Sequence, residues 1–161
     1  LGLLLLLLPF PPTLAGLKTA LELGVILASA GAQADVMALT SHFRLPQPER
    51  WFSEHFSPVT AAALTQEYSE VMGEDGFEMA QLLLQCAENR RSEARVEWIT
   101  SPYAMNGSGF ARAALKAMCK PTPLATVTLC APDDREGLAI WSWAIVDGCF
   151  RLAGKMRQVQ E

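Results

Sequence analysis

The chain has 161 residues, half of them apolar and 19% charged, with a net charge of −4. That is enough apolar material for one folded domain with a core, which excludes a disordered chain. Lys and Arg are not gathered into a patch and the balance is acidic, so a phosphate-tracking surface is excluded and no nucleic acid partner is expected.

In chain order, the first 34 residues read as a targeting segment. Residues 1–8 are a leucine run too short to cross a bilayer, which takes roughly 20 apolar residues, and Pro9, Pro11 and Pro12 break it. A second run has Lys18 at its front, an apolar centre over 21–30, and Ala32 and Ala34 as small residues before Asp35. This is the layout of a signal peptide, with Glu22 out of place in it. The expectation is therefore export to the periplasm or outside the cell, or a membrane anchor if the segment stays uncleaved. A buried helix of the domain is the competing reading. Residues 35–45 then read as a linker, and 46–161 as a single domain.

Ser57 before Pro58 reads as a helix N-cap with proline at the first helical position. Leu64, Tyr68, Val71 and Met72 follow at helical spacing, and Gly73 ends the run. Residues 75–91 form a second helix, with Met79, Leu82, Leu83 and Cys86 on one face and Glu78, Gln81, Gln85 and Glu88 away from it. The period then changes. Val96 and Trp98 alternate with Arg95, Glu97 and Ile99, as in a half-buried strand. After a loop, Phe110, Ala114, Leu115 and Met118 mark a short third helix capped by Ser108, and 124–132 is a β-branched strand. Asp133 and Asp134 lie in a solvated turn.

The last two strands make a hairpin across Asp147 and Gly148, a strong short-range hairpin signal. A two-residue turn sets Val146 opposite Cys149. Trp141, Trp143 and Ile145 then share a dry face with Phe150, Leu152 and Gly154, while Ser142, Ala144, Arg151 and Lys155 face a wetter side. Gly154 reads as a residue that makes room for an indole or bends the strand. The fold class is α+β, with N-terminal helices packed on a curved antiparallel sheet that ends in a β-hairpin.

The segments RWFSEHFSP and LTQEY, with the terminal pattern W-S-x-x-x-V-D-G-x-F-R-x-x-G-K, resemble an uncharacterised bacterial branch of the nuclear-transport-factor-2-like, or cystatin-like, α+β superfamily. The resemblance covers residues 46–157. It implies a cone between helices and sheet, in proteins that are enzymes, small-ligand binders or assembly modules. It supplies no catalytic residue here.

Read for chemistry, the residues offer little that outweighs a structural role. Cys86, Cys119, Cys130 and Cys149 form no C-x-x-C, and His42 and His55 lie far from them, so no metal site is expected and no cofactor is implied. Burial as small apolar groups is the expected fate of the thiols, with one disulfide if the chain is exported. Ser108 fails the nucleophile-elbow pattern. His55 has no acid or nucleophile beside it and reads as a partly exposed imidazole. Trp98, Trp141 and Trp143 are the candidate ligand-binding residues, since aromatics on a curved sheet either fill a cone or line its mouth.

The expected function is an exported, non-enzymatic binding domain for a partner protein or a small apolar ligand, with a homodimer through the sheet face as one form of the partner. The membrane enters only through the N-terminal segment. The alternative is an isomerase- or dehydratase-like enzyme using a carboxylate in the cone, with Glu97 and Tyr103 as its candidate residues.

Overall fold

A computed structural model describes residues 10–73, 77–105, 109–134 and 136–159, apart from the side chains of Phe77 and Trp141. The expected cap at Ser108, the leucine run 1–8, the helix start at Asp75 and the side chain of Trp141 lie outside that description.

Six helices and four strands follow in the order α1 (Leu14–Ser29), α2 (Gln33–Phe43), α3 (Pro48–His55), α4 (Pro58–Met72), α5 (Phe77–Glu88), β1 (Glu93–Ile99), α6 (Gly109–Ala117), β2 (Leu124–Cys130), β3 (Gly137–Val146) and β4 (Cys149–Leu152). The strands form one antiparallel sheet in chain order. The fold is α+β, with most of its helices ahead of its strands.

The segment with the leader-like layout is α1. Thr13 caps it by accepting the Gly16 N–H at 3.0 Å, and Leu17, Ala20, Leu21, Gly24, Val25 and Ala28 form one buried stripe at helical spacing. That stripe lies on α5 and β1. A Cβ on Gly24 would stand 2.9 Å from Leu83 Cδ1 and 3.1 Å from Leu39 Cδ2, so glycine is what lets α5 and α2 come this close. Glu22, the charge that breaks the leader pattern, has a position in the fold. Ala94 is a buried residue of the edge strand β1; its N–H donates to Glu22 Oε2 at 3.0 Å and its carbonyl accepts from Lys18 Nζ at 2.8 Å. The 2.8 Å Lys18–Glu22 ion pair holds the two side chains together. Residues 35–45, expected as a linker, are mostly helix α2, because Val36, Leu39 and Phe43 recur at helical spacing and enter the core.

The hairpin has the register that a two-residue turn requires, Val146 against Cys149 and Ile145 against Phe150. Asp147 at φ 52° and Gly148 at φ 76° both take the left-handed backbone of a type I′ turn. The expected division into dry and wet faces holds for Trp143, Phe150 and Leu152, which are buried, and for the exposed Lys155, and fails at Ser142, Ala144 and Ile145. Trp143 is fully buried, edge-on to Phe43 at 5.0 Å, with its indole N–H on the Ile140 carbonyl at 3.0 Å. Ser142 and Ala144 are equally buried, while Ile145 is 42% exposed. A bulge accounts for Ser142. Trp141 pairs with Thr126 and Trp143 with the adjacent Ala125, which leaves Ser142 as an extra residue and breaks the alternation. On its other side Ser142 faces two residues, donating its N–H to Gly154 and accepting that of Ala153. Gly154, at φ 86°, turns the chain away from the sheet, the second of the two roles expected of it.

Glu22→Ala should lower stability by about 1–3 kcal/mol, because it strands a buried backbone donor. Trp143→Ala should cost about 3–5 kcal/mol. Urea denaturation followed by circular dichroism reads both, and an unchanged Glu22 variant would mean that α1 does not dock on β1.

Candidate functional site

Helix α4 packs mainly on α3, and α5 mainly on α1, whereas α4 and α5 touch each other only lightly. Each helix is held from its far side, and a gap remains between them above the sheet. That gap is a half-open cavity of about 510 Å³, within the size range of small-molecule sites.

Its floor is apolar: Phe52 and Leu64 at the α3–α4 end, Ile140 and Leu152 from the sheet, and Met72, Met79 and Met156 around them, all buried. Methionine is unbranched and adaptable, so this floor can fit more than one apolar shape. The exposed lining is mixed: Glu78, Gln81, Gln85 and Glu88 of α5 with Lys155 and Arg157 supply polar groups, and Val71 and Leu84 are exposed apolar side chains among them. Arg157 Nε meets Glu67 Oε1 at 3.3 Å across the opening.

Tyr68 forms the cavity's end wall, and its hydroxyl is fully engaged. It accepts the Leu45 N–H at 2.9 Å and donates to the Leu152 carbonyl at 2.7 Å. The Phe52 ring meets the Tyr68 ring at 5.8 Å and the Arg44 guanidinium lies 5.5 Å from its centre. Burial raises the phenol's pKa to about 12, outweighing the opposite effects of the Leu45 N–H, Arg44 and Arg151. With no hydroxyl left over, Tyr68 shapes the cavity and does not offer it a proton.

The expected site residues lie elsewhere. Trp143 is core, and Trp98 is half-buried on β1 against Phe150 at 5.4 Å; neither lines the cavity. Glu97 is exposed on β1 and Tyr103 is 83% exposed, so no closed cavity brings a carboxylate to that phenol. His55 is buried, not partly exposed: its Nδ1 lies 2.7 Å from the Trp51 carbonyl, its ring stacks on Trp51 at 4.4 Å, and its own carbonyl accepts the Cys119 N–H. Asp133 and Asp134 are exposed, and Asp134 Oδ1 accepts the Glu136 N–H at 3.0 Å as a turn residue. The four cysteines are free thiols; Cys86 and Cys130 are buried, Cys149 is partly so and Cys119 is exposed. Burial pushes the Cys86 thiol up. Among the described residues no cluster could hold a metal ion, and no helix is long and apolar enough to cross a membrane.

The resemblance implied a cone between helices and sheet, but sequence reasoning missed the residues that line this cavity, because they carry no motif. Phe52 and Tyr68 belong to the segments that carry the superfamily resemblance, and the polar stripe of α5 read as an ordinary solvated face. Comparison with known proteins finds no match: no protein family, curated protein or solved structure pairs with this chain.

Tyr68→Phe should lose about 1–3 kcal/mol at pH 7 by leaving two buried backbone groups without a partner. The raised pKa favours the protonated phenol in the folded state, so its contribution is complete below pH 10 and is lost as pH rises towards 12. The loss is about 2–3 kcal/mol over that window. Urea titrations at intervals from pH 7 to pH 12 should therefore show the gap between the parent protein and Tyr68→Phe closing above pH 10.

Proposed function

We propose that this domain is a non-enzymatic binding module that takes a small, mainly apolar ligand in the cavity between α4, α5 and the sheet, on the plan that the nuclear-transport-factor-2-like resemblance implies. The observation that carries this reading is the cavity itself, about 510 Å³ with an apolar floor and charged groups at its rim. Such a site removes an apolar body from water while leaving a polar end at the mouth. The outer sheet face supports the same choice over a protein partner or a homodimer through the sheet. It presents the exposed Arg95 and Glu97 beside Thr126 and Thr128, where a stable interface core is depleted of charge.

Export is compatible with this reading and is not required by it. Helix α1 contributes a buried stripe to the core, so the ligand-binding form is the one that retains α1.

The test uses N-phenyl-1-naphthylamine, a neutral apolar fluorophore, titrated into the whole chain. Leu82 lines the cavity from α5 and is only partly buried. Leu82→Trp should fill the mouth and weaken probe binding at least tenfold, with the circular dichroism unchanged. Tyr103→Ala, on an exposed loop, should bind as the parent does. Equal binding by Leu82→Trp and the parent would place the probe elsewhere and remove the reading.

A further inference from the structure

One wall of the cavity is made by a short segment outside any helix or strand. Gly154, Lys155, Met156 and Arg157 all line the cavity, immediately after β4. The segment is held in three ways. Ala153 and Gly154 exchange hydrogen bonds with Ser142 at 2.8 and 2.6 Å. Met156 and Val159 bury their side chains, at 2% and 6% exposure. Arg157 reaches Glu67 on α4 across the mouth.

Two of these holds are weak or strained. The Arg157 side chain is 50% exposed, and ion pairs at such positions add little stability. Met156 is at φ 54°, a backbone conformation that a large side chain rarely adopts and keeps only when packing holds it there. Gly154, two residues earlier, is also at positive φ and can pivot without steric cost. The segment thus has a hinge at one end, a strained anchor in its middle, and a polar latch on the far helix.

We infer that residues 154–159 form a strap that swings out on Gly154 as a unit, drawing Met156 from the cavity wall and breaking the Arg157–Glu67 latch, and that this opening is the route by which ligand enters. The inference rests on the cavity reading above, but the motion and the binding are measured separately. The released backbone strain of Met156 offsets part of the packing lost when the strap opens. This places the opening well below global unfolding in free energy.

Amide hydrogen exchange on the whole chain, resolved by residue, tests the motion. The Ser142 N–H donates to the Gly154 carbonyl and so depends on the closed strap, whereas the Val159 N–H donates to Met156 inside the strap and is kept when the strap moves as a unit. Ser142 should exchange at least about 100-fold faster than Val127 and Leu129 of β2, with a shallower dependence on urea. Arg157→Ala should speed Ser142 by about two- to fivefold, the worth of a half-exposed ion pair, and Arg157→Lys should restore much of the parent rate. A Ser142 amide as protected as β2, with the same urea dependence, would overturn the proposal. So would an Arg157→Ala variant that speeds Val159 and leaves Ser142 unchanged, because that is fraying of the end and not motion of a unit.

Stopped-flow mixing with N-phenyl-1-naphthylamine tests the link to binding. The observed rate should saturate with probe concentration, and its plateau should rise in Arg157→Ala by the same factor as the exchange. A plateau that ignores the latch overturns the entry route. A parent protein that binds no probe removes the ligand reading and the entry route with it, while the exchange data still decide whether the strap opens.

Discussion

An open four-stranded sheet has two edges, and every unpaired N–H and C=O along them must find a partner or stay wet. In this protein each edge has a buried residue whose backbone is met by polar groups from distant parts of the chain. On the β4 side, the Tyr68 hydroxyl joins the Leu45 N–H to the Leu152 carbonyl, and Arg44 runs beside Leu152 as an isolated parallel bridge. On the β1 side, Lys18 and Glu22 satisfy both backbone groups of Ala94. Removing either closure would leave buried backbone groups without partners.

The two closures also set where the helices lie. Tyr68 fixes α4 to the β4 edge, and Arg44, which donates to the Gly73 carbonyl at 2.6 Å, fixes the end of the same helix. At the other edge the α1 clamp seats α1 on β1, and α1 carries α5 with it through the close approach at Gly24. The helices are therefore drawn towards opposite edges, and a gap is left between α4 and α5 above β3 and β4. The cavity follows from edge closure, and the charged groups at its rim are simply the polar side of α5 together with the chain leaving β4.

Arg151 and Ser142 show a less tidy side of the arrangement. Arg151 Nη1 donates to the His42 carbonyl, while its Nε and the Ser142 hydroxyl are buried with no hydrogen-bond partner among the described residues. Ser142 is the bulged residue of β3, where the ladder with β2 is interrupted, while Arg151 pairs in register with Ala144. Bulges concentrate where a strand must bend or a side chain must be re-aimed. Here the bend directs residues 154–159 over the cavity.

What the sequence by itself determined is local. The Asp147–Gly148 turn with its register, the helices begun at Pro58 and carried by Met79, Leu83 and Cys86, and the α+β order could all be read because turn chemistry and periodicity act between near neighbours. The tertiary structure decided the rest. The packing of residues 14–29 as a helix on β1 depends on Glu22 and Lys18 meeting Ala94, more than seventy residues away. The burial of Ser142 depends on a bulge set by pairing with β2 and on the chain that follows β4. The cavity is a space between elements, and a space has no residue pattern: Phe52, Tyr68, Gln85 and Met156 each satisfy a local rule, and only their packing leaves the gap.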